Sequence, residues 1–502
     1  MSGAATTPDQ GAPIPQFDQK LGHPGPLWML FMSEFWERFA FYGIRWALVL
    51  YIVAQFHGGD ASGQQPANLI YGSYLALVYA GAIFGGYVAD KYIGYQRSIL
   101  VGAVIMAAGL FMISLPSEQV FKLGLATIIV GNGLFKPIIS TLVGKIYTVG
   151  DERRDSGFTI FYMGINLGAM ISPLFTDYLA RQVFGTNDVP SYKVVFIASG
   201  VGMLISLFWF WFGRAQLKGV GAPPSGADGM DRVVKVFVGA ALVIPIVYAL
   251  LALGAQTLQV ILTVMFVLLA VVLLLEGFRE GVVARDKVIA MLIIFAFNIL
   301  FWMFFEQAGS SFNFLADQIV DRDLGGWVFP TAYFQSVNSV AIITLAPVIA
   351  WIWVWLAQRN ANPSIPRKFG LGLLFNGFAF LLLMFALSSL VDAAGMIPFW
   401  TLFMVYVIQS VGELCLSPIG LSMVTKLAPV KLVGFGMGGW FLSTGIGNNL
   451  SGIFAGHVSG ETGMTTVSAL SGYTMGFWAL VGSGALLFLV APLIQKLMHG
   501  VK

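Results

Sequence analysis

Long apolar stretches separated by short polar segments run along almost the whole chain. A helix needs about 20 residues to cross the roughly 30 Å hydrocarbon core of a bilayer, and backbone polar groups inside that core must be satisfied within the helix. The stretches long enough to cross are residues 28–55, 69–88, 98–115, 123–142, 158–179, 194–212, 233–253, 258–275, 288–314, 333–356, 370–391, 399–424, 433–454 and 473–497. The pattern predicts an all-α integral membrane protein with fourteen transmembrane helices.

The composition excludes a soluble globular protein. Of the 502 residues, 57% are apolar and 10% are charged, whereas soluble domains carry about 25% charged residues. The net charge of +3 comes without a long basic cluster, so nucleic-acid binding has no electrostatic basis. The single cysteine, Cys415, has no partner for an intrachain disulfide, and the histidines form no metal-ligand cluster. We therefore expect a lipid bilayer as the surroundings, no nucleic acid and no metal or other cofactor.

The basic residues are distributed unevenly between the two sides of the membrane. An even number of spans puts both termini on one side. If that side is the cytoplasm, the far side keeps only Lys122, Arg181, Lys193 and Arg322. The positive-inside rule favours this orientation. We expect a multi-pass protein of the cell inner (plasma) membrane with both termini in the cytoplasm.

Two parts of the chain repeat each other. The fourth span can be laid over the twelfth so that Gly131 meets Gly412, with the shared spacing G-x5-P-I-x4-V-x-K. A weaker echo links the first span to the ninth, at Phe35, Trp36 and Gly43 against Phe301, Trp302 and Gly309. Two six-helix halves related about an axis along the membrane normal are the architecture of major facilitator transporters.

The repeat divides the chain into four regions. We expect a cytoplasmic N-terminal tail at residues 1–26 and an N-terminal six-helix bundle at 27–213. A linker with an inserted transmembrane hairpin follows at 214–285, and a C-terminal six-helix bundle occupies 286–502. Between Val236 and Leu275 the hairpin contains no charged residue, so we interpret it as a lipid-facing addition.

Seven charged residues fall inside the predicted spans, where each costs on the order of 2.5–3.5 kcal/mol at the bilayer centre. They are Glu34, Glu37, Arg38, Arg45, Lys136, Glu306 and Glu413. Such residues face the interior of a bundle and usually serve function. Because no histidine lies inside a span, proton coupling would have to use one of the four glutamates.

The first span carries a polar stripe. Helical periodicity puts Glu34, Glu37, Arg38, Tyr42 and Arg45 on one face. Glu34 and Arg38 stand four residues apart, the spacing at which helical side chains meet. An ion pair near a helix end is one interpretation, but Arg45 continues the stripe deeper into the span and favours a functional one.

The repeat also relates Lys136 to Glu413. Asn132 aligns with Glu413, so the two charges should differ in height by one helical turn, about 6 Å. If both helices line a cavity, the empty protein should pair Lys136 with Glu413 or with a carboxylate of the first span. Breaking and remaking the pair across the halves would be a gating step.

Several short segments form signatures. The run EFWERFAFYG covers Glu34 to Gly43, GGYVAD with a following glycine covers Gly85 to Gly94, and FYMGINLG covers Phe161 to Gly168. They resemble the signatures of the proton-dependent oligopeptide transporter family, whose first motif reads ExxERFxYYG, so that Phe41 replaces a tyrosine. Further matches are Phe135-Lys136-Pro137, Phe301-Trp302 with Glu306-Gln307, and Gly412-Glu413 with Ser417-Pro418. They cover both halves, and the inserted helix pair is similar to that of bacterial members.

The resemblance implies proton-coupled import of di- and tripeptides by alternating access, with the proton as coupling ion. Proton coupling would fall to Glu34, Glu37 and Arg38, with Glu306 as a further candidate carboxylate. Arg45 and Lys136 would face the peptide carboxylate, Glu413 and Asn338 its amino end, and Asn166 its backbone. Tyr42, Tyr79, Trp302 and Trp440 would wall the side-chain pockets, and Ser417 would join the peptide site. Gly86, Asp90 and Gly94 would form a conformational latch, with Lys136 and Glu413 as gating residues.

Each of these assignments has an alternative. Tyr79, Trp302 and Trp440 could simply pack between helices, and Asn166 and Asn338 could bridge helices for roughly 0.6–2 kcal/mol. A major facilitator transporter of another small anion, such as nitrate, would share the architecture. An enzyme would need a nucleophile, metal or acidic cluster, and none is visible, while a channel would lack two gated halves. We expect a transporter, not an enzyme, acting as a monomer.

Overall fold

Membrane-length helices account for most of the chain in the computed structural model, which describes residues 14–148, 151–186, 189–224, 226 and 229–501. The first part of the predicted tail, residues 1–13, lies outside the described residues. The helices are α1 Pro26–Phe56, α2 Gln64–Val88, α3 Tyr95–Met112, α4 Glu118–Lys145, α5 Arg154–Tyr178, α6 Tyr192–Gly213, α7 Met230–Ala252, α8 Ala255–Glu280, α9 Val282–Phe305, α10 Ser311–Gln318, α11 Tyr333–Gln358, α12 Ile365–Ser389, α13 Phe399–Leu427, α14 Val433–Ser459 and α15 Thr466–Leu497. With α9 and α10 counted as one span, each of the fourteen predicted spans corresponds to a helix.

The helix α14 differs from the others in composition. Thirteen spans of the described residues are both long and apolar enough to cross a membrane. At 27 residues, α14 is about 40 Å long, but it is rich in glycine and contains Asn448 and Asn449. It packs against α2, α8 and α9, so protein rather than lipid surrounds it, and Asn449 Nδ2 donates to the Ala255 carbonyl of α8 at 2.8 Å and to Gln259 Oε1 at 3.0 Å.

The short elements lie in the connections. The strands β1 Gln19–Lys20 and β2 His23–Pro24 pair antiparallel, and β3 Val320–Asp321 and β4 Ile397–Pro398 pair parallel. The β1–β2 hairpin is tied to the loop after α4, because Arg153 Nη1 donates to Gln19 Oε1 at 2.9 Å and to the Gly22 carbonyl at 3.1 Å. This part of the N-terminal segment therefore packs on the bundle.

The helices form two six-helix bundles with a hairpin between them. In the first bundle α1 packs on α5 and α6, and α3 packs on α4; in the second, α12 packs on α13 and α15, and α9 packs on α14. The bundles meet mainly where α2 contacts α14 and α5 contacts α11. Of the inserted pair, α7 packs on α4 and α8 packs on α9 and α14, so the two arms of the hairpin lie on different halves.

Glycine contacts confirm the repeat predicted between the fourth and twelfth spans. A Cβ on Gly131 would come within 2.8 Å of the Gly102 carbonyl oxygen in α3, and a Cβ on Gly412 within 2.8 Å of the Gly372 carbonyl oxygen in α12. Since Gly131 and Gly412 are the aligned residues, α3–α4 and α12–α13 are equivalent helix pairs. The weaker repeat, between the first and ninth spans, has no such equivalent contacts. Gly43 faces Ser172 and Ser199, whereas Gly309 faces Tyr71.

The ninth span is broken in its middle. α9 ends at Phe305, one 3-10 turn covers Glu306–Gly309, and α10 begins at Ser311. The freed Ala308 carbonyl accepts hydrogen bonds from the Gln335 amide and, at 3.4 Å, from the Tyr406 hydroxyl. Irregular backbone at membrane depth is tolerated where protein satisfies it in this way. The break places Glu306 at the boundary between the halves.

The two ends of the bundle differ. We call the end where α1 begins and α15 finishes the terminal end, and the other the opposite end. Contacts between the halves concentrate toward the opposite end, where Asn68 Nδ2 donates to the Ala455 carbonyl at 3.1 Å and to Ser459 Oγ at 2.9 Å. Gly72 and Gly452 bring the backbones of α2 and α14 together there. The halves are thus closed at the opposite end.

Candidate functional site

Three charges of α1 form one buried cluster. Arg38 makes a two-pronged ion pair with Glu37 and lies 3.5 Å, Nε to Oε1, from Glu34. Asn132 Nδ2 of α4 donates to Glu37 Oε1 at 3.4 Å. All three charged side chains are buried, and the Glu34 carboxylate oxygens have no hydrogen-bond partner among the residues that the structure describes. The cluster therefore holds one well-bonded and one poorly bonded carboxylate around a single guanidinium.

Lys136 is surrounded by rings. Its Nζ lies 5.7 Å from the ring centres of both Phe41 and Tyr79, and Arg38 Cζ lies 4.5 Å from the Phe41 ring centre. No ion pair of the described residues includes Lys136, so the expected pairing with Glu413 or a first-span carboxylate is wrong for this conformation. Glu413 instead accepts from Asn338 Nδ2 at 3.1 Å, within its own half.

In the described part of the chain, the ion pair that crosses the halves joins Arg45 to Glu306. Arg45 Nη2 lies 2.8 Å from Glu306 Oε2, and Arg45 Nε donates to the Tyr71 hydroxyl at 3.2 Å. Arg45 Cζ also lies 5.4 Å from the centre of the Tyr42 ring. Both charges were predicted as site residues, but their contact was not predicted. The available signal was two opposite intramembrane charges in different halves, neither with a partner on its own helix.

A large cavity opens from the terminal end toward these charges. Its volume is about 1330 Å³, above the 300–1,000 Å³ typical of small-molecule pockets. Tyr79, Asn132 and Lys136 line it from the first half, and Met437 and Phe441 line it from α14. Residues of the N-terminal segment and of the connections at the terminal end surround its mouth. Of the predicted binding residues, the cavity therefore reaches Tyr79 and Lys136 from the outside of the bundle.

The predicted aromatic walls differ in surroundings. Trp302 is half-buried, and its Nε1 donates to Asn298 Oδ1 at 3.0 Å. Trp440 is buried, with its ring centre 6.1 Å from those of Phe295 and Phe369. Trp440 thus packs inside the second half, as the packing alternative predicted, and does not wall the cavity in this conformation.

Two other predicted binding residues have few contacts across the site. Asn166 Nδ2 donates to the Tyr162 carbonyl one turn earlier in α5, at 3.0 Å, so it bridges no helices through that atom. Ser417 Oγ is buried and has no hydrogen-bond partner within the described residues. Asn338 donates to Ser410 Oγ at 2.8 Å as well as to Glu413, which fixes the Glu413 carboxylate between α11 and α13.

The predicted latch is built from partly different residues. Gly86 has open space where a Cβ would lie, whereas Gly85 packs directly on the Gly133 backbone in α4. The close approach that signature glycines suggest therefore belongs to Gly85. Asp90 accepts a hydrogen bond from the Tyr95 hydroxyl, and Gly94, at φ +81°, lies against the backbone after α6. A left-handed residue with backbone at its Cβ position must be glycine.

Sequence reasoning missed the uncharged polar residues around the site. Asn132, Tyr71 and Asn298 contact Glu37, Arg45 and Trp302 respectively. Gln335 stabilises the break that positions Glu306. For Asn132, Asn298 and Gln335 the signal was an amide inside an apolar span, which is costly unless hydrogen-bonded.

The comparisons with known proteins agree with this geometry. Residues 96–470 match the model of PTR2, the POT family. The chain belongs to the POT family. It is 35% identical to peptide transporter YePEPT of Yersinia enterocolitica subsp. palearctica, over 96% of each chain, and 33% identical to dipeptide and tripeptide permease B of Aliivibrio fischeri, over 84% of each.

Solved structures of POT proteins have the same fold. A mutant of a peptide transporter POT in complex with alafosfalin superposes with a TM-score of 0.82 at 33% identity, covering 96% of this chain and 97% of that one. A POT family transporter in complex with 5-aminolevulinic acid gives 0.79 at 30% identity, covering 94% and 97%. The predicted family and the all-α fold of two six-helix bundles with an inserted hairpin are confirmed, and the protein is a multi-pass membrane transporter.

Proposed function

We propose that this protein is a proton-coupled symporter that imports di- and tripeptides by alternating access. The observation that carries the proposal is a cavity between two halves that opens at one end and reaches Tyr79 and Lys136, together with an Arg45–Glu306 ion pair that joins the same two halves. Alternating access needs such a state, open at one end only, and a second state that is open only at the opposite end. The printed names of the relatives, peptide transporter and dipeptide and tripeptide permease, support the substrate class.

A peptide zwitterion fits the charges of the site. Lys136, which forms no ion pair with a carboxylate in the described part of the chain, and Arg45 offer cations to the peptide carboxylate. Glu413, held by Asn338, offers an anion to the amino group. Asn166 contacts the peptide backbone, and Ser417, whose buried hydroxyl has no hydrogen-bond partner among the described residues, joins the peptide site. The fixed charges and backbone are recognised, while Tyr42, Tyr79 and Trp302 tolerate different side chains.

Proton coupling arises because two groups bind Arg45 in turn, the Glu306 carboxylate and the peptide carboxylate. Neutralising Glu306 with a proton removes the charge that holds Arg45 across the halves, which frees the guanidinium for a peptide carboxylate and loosens closure at the opposite end. The Glu34–Glu37–Arg38 cluster supplies the second protonation site, next to Lys136. Proton and peptide thereby act on the same contacts.

The direction of transport follows from the orientation. The positive-inside rule places the terminal end in the cytoplasm, so the cavity described here faces inward. Import then releases peptide and proton through this cavity, in a bacterial inner membrane, from a chain that acts as a monomer. Asp90 and Gly94 hold the loop after α2 at the cavity side in this state.

Ligand-dependent thermal unfolding of the purified protein tests the substrate class. A ligand that binds only the folded state raises its stability by mass action. We expect dialanine and trialanine at millimolar concentration to raise the melting temperature, and alanine and nitrate to leave it unchanged. Stabilisation by nitrate but by neither peptide would overturn the proposal in favour of an anion transporter.

A further inference from the structure

Asn298 of α9 has every polar atom of its side chain occupied. It is fully buried, one helical turn before Trp302. Its Oδ1 accepts from Trp302 Nε1 at 3.0 Å, and its Nδ2 donates to Ser443 Oγ at 2.9 Å and to Thr444 Oγ1 at 3.0 Å on α14. Because all of its polar atoms are paired, the Asn298 amide fixes the Trp302 indole relative to α14.

The donor and the acceptor of each hydrogen bond around Asn298 are determined. An indole N–H is only a donor, so the carbonyl oxygen of the Asn298 amide must face Trp302. The two amide hydrogens then point to the two hydroxyls. Ser443 and Thr444 give their own hydrogens to the Trp440 carbonyl, at 2.7 and 3.2 Å. The arrangement has one orientation and no spare donor.

Close packing against α14 also fixes the base of the Trp302 side chain. A Cβ on Gly447 of α14 would lie only 2.9 Å from Trp302 Cβ, so this glycine lets α14 approach the base of the side chain. The Phe305 ring stands edge-on to the indole, with ring centres 5.3 Å apart. Trp302 thus packs against Gly447 and Phe305, and its N–H is occupied by Asn298.

We propose that Asn298 is a positioning residue that sets the side-chain preference of the peptide site by fixing the face of Trp302. The proposal rests on the proposed function, in which Trp302 walls a side-chain pocket. Because the indole N–H is occupied, Trp302 offers a ligand only its apolar face. The residue therefore favours dipeptides with aromatic or bulky apolar side chains, and it does not contribute a hydrogen bond to polar ones.

The test compares two dipeptides in proteoliposomes that contain the full chain. Asn298→Leu keeps the branched shape and the number of heavy atoms of the side chain, with larger terminal groups, and removes its hydrogen bonds. We expect its KM for phenylalanyl-alanine to rise roughly two- to tenfold, the equivalent of one neutral hydrogen bond. The KM for dialanine, which does not reach the wall, and the maximal rates for both peptides should change by less than about twofold.

A double-mutant cycle separates positioning from a merely structural role. Trp302→Phe removes the indole N–H, so adding Asn298→Leu to it should raise the KM for phenylalanyl-alanine less than twofold further. An equal effect of Asn298→Leu on both peptides, or an undiminished effect in the Trp302→Phe background, would overturn the inference. If Asn298→Leu does not fold, Thr444→Val, which removes one partner of the amide, should give the same peptide-dependent change at smaller size, and equal KM changes for both peptides in that variant would overturn it.

The outcome distinguishes this inference from the function on which it rests. A wild-type protein that transports neither dipeptide refutes the proposed function. A wild-type protein that transports both, with variants whose KM ratio between the two peptides is unchanged, refutes the role of Asn298 alone.

Discussion

At the scale of single residues, Glu306 matters most, because it is the carboxylate that joins the two halves through Arg45. Glu306→Gln keeps the size of the side chain but can neither carry the negative charge nor exchange a proton. We predict that gradient-driven accumulation of a labelled dipeptide in proteoliposomes falls at least tenfold, while exchange of internal for external peptide without a gradient persists.

The matched control for this prediction is a surface glutamate. Glu118→Gln removes an exposed ion pair with Lys122, 2.7 Å apart at the opposite end, and exposed pairs contribute little. It should accumulate peptide as the wild type does. Wild-type accumulation by Glu306→Gln would remove Glu306 from the coupling mechanism.

The second residue-scale prediction concerns the amino end of the peptide. Glu413 is held by Asn338 and would face the ligand ammonium, so Glu413→Gln should weaken binding of free dipeptides roughly tenfold or more, the cost of losing a charged hydrogen-bond partner. Binding of the same dipeptides with an acetylated amino group, already weak in the wild type, should hardly change. Calorimetric titration measures both; equal losses would assign Glu413 to gating or folding.

Residue identity could be predicted from the sequence better than residue pairing could. Glu34, Glu37, Arg38, Arg45 and Glu306 stood out as charges in apolar spans, and all five are buried in the structure. Their partners depend on which helices meet and at what height, which spacing along one helix does not encode. For this reason the Arg45–Glu306 contact was missed and a Lys136–Glu413 contact was expected instead.

At the scale of elements, neighbouring glycines of α2 provide a matched pair. A Cβ on Gly85 would run into the Gly133 carbonyl of α4, whereas a Cβ on Gly86 would meet open space. Gly85→Ala should lower the free energy of unfolding by about 1–3 kcal/mol through overpacking. Gly86→Ala should leave it unchanged or raise it by about 0.5–1 kcal/mol, because alanine favours a helix.

Thermal and denaturant unfolding in detergent would measure both variants. A Gly86→Ala variant as damaged as Gly85→Ala would show that the loop after α2 is closed against this face in the folded protein. Equal, small effects of both would show that α2 and α4 are not packed as closely as the structure has them.

Helix positions followed directly from hydrophobic length, but two elements depend on tertiary contacts. The break at Glu306–Gly309 exists because Gln335 and Tyr406 satisfy the Ala308 carbonyl, and neither residue is near it in sequence. α14 is polar and glycine-rich because α2, α8 and α9 cover it. Apolar content alone would not have identified α14 as a span. Its length and its hydrophobic pattern together did.

At the scale of the whole molecule, Gly72 and Gly452 set the distance between the halves at the opposite end. A Cβ on Gly72 would lie 2.6 Å from Gly452 Cα, whereas a Cβ on Gly456, one turn further along α14, would make only ordinary contacts at 3.4 Å and beyond. Gly72→Ala should therefore wedge the halves apart there and shift the population away from the conformation described here. Gly456→Ala is the matched control.

Alkylation of a cavity residue reports this shift. With Cys415, the buried native thiol, replaced by alanine, a cysteine introduced at Ser140 lies in the lining of the cavity. It should react several-fold more slowly in Gly72→Ala than in Gly456→Ala, because the cavity closes as the opposite end opens. Equal or faster reaction in Gly72→Ala would contradict a rocking of two halves about this contact.

The architecture as a whole could be predicted because several features of the sequence indicate it. These are the span lengths, the glycine repeat of Gly131 and Gly412, and the signature segments of both halves. The end of the bundle at which the halves are open could not be predicted from the sequence. That property depends on the balance of contacts at the two ends, such as Asn68 with Ser459, and each conformation of a transporter uses the same sequence.

Uptake of labelled dialanine into proteoliposomes, with and without an inward proton gradient, tests the central claim most directly. The account predicts accumulation above the external concentration only when the gradient is imposed, and inhibition of that uptake by unlabelled di- and tripeptides but not by nitrate. Accumulation that ignores the proton gradient, or uptake of nitrate without uptake of dialanine, would contradict it.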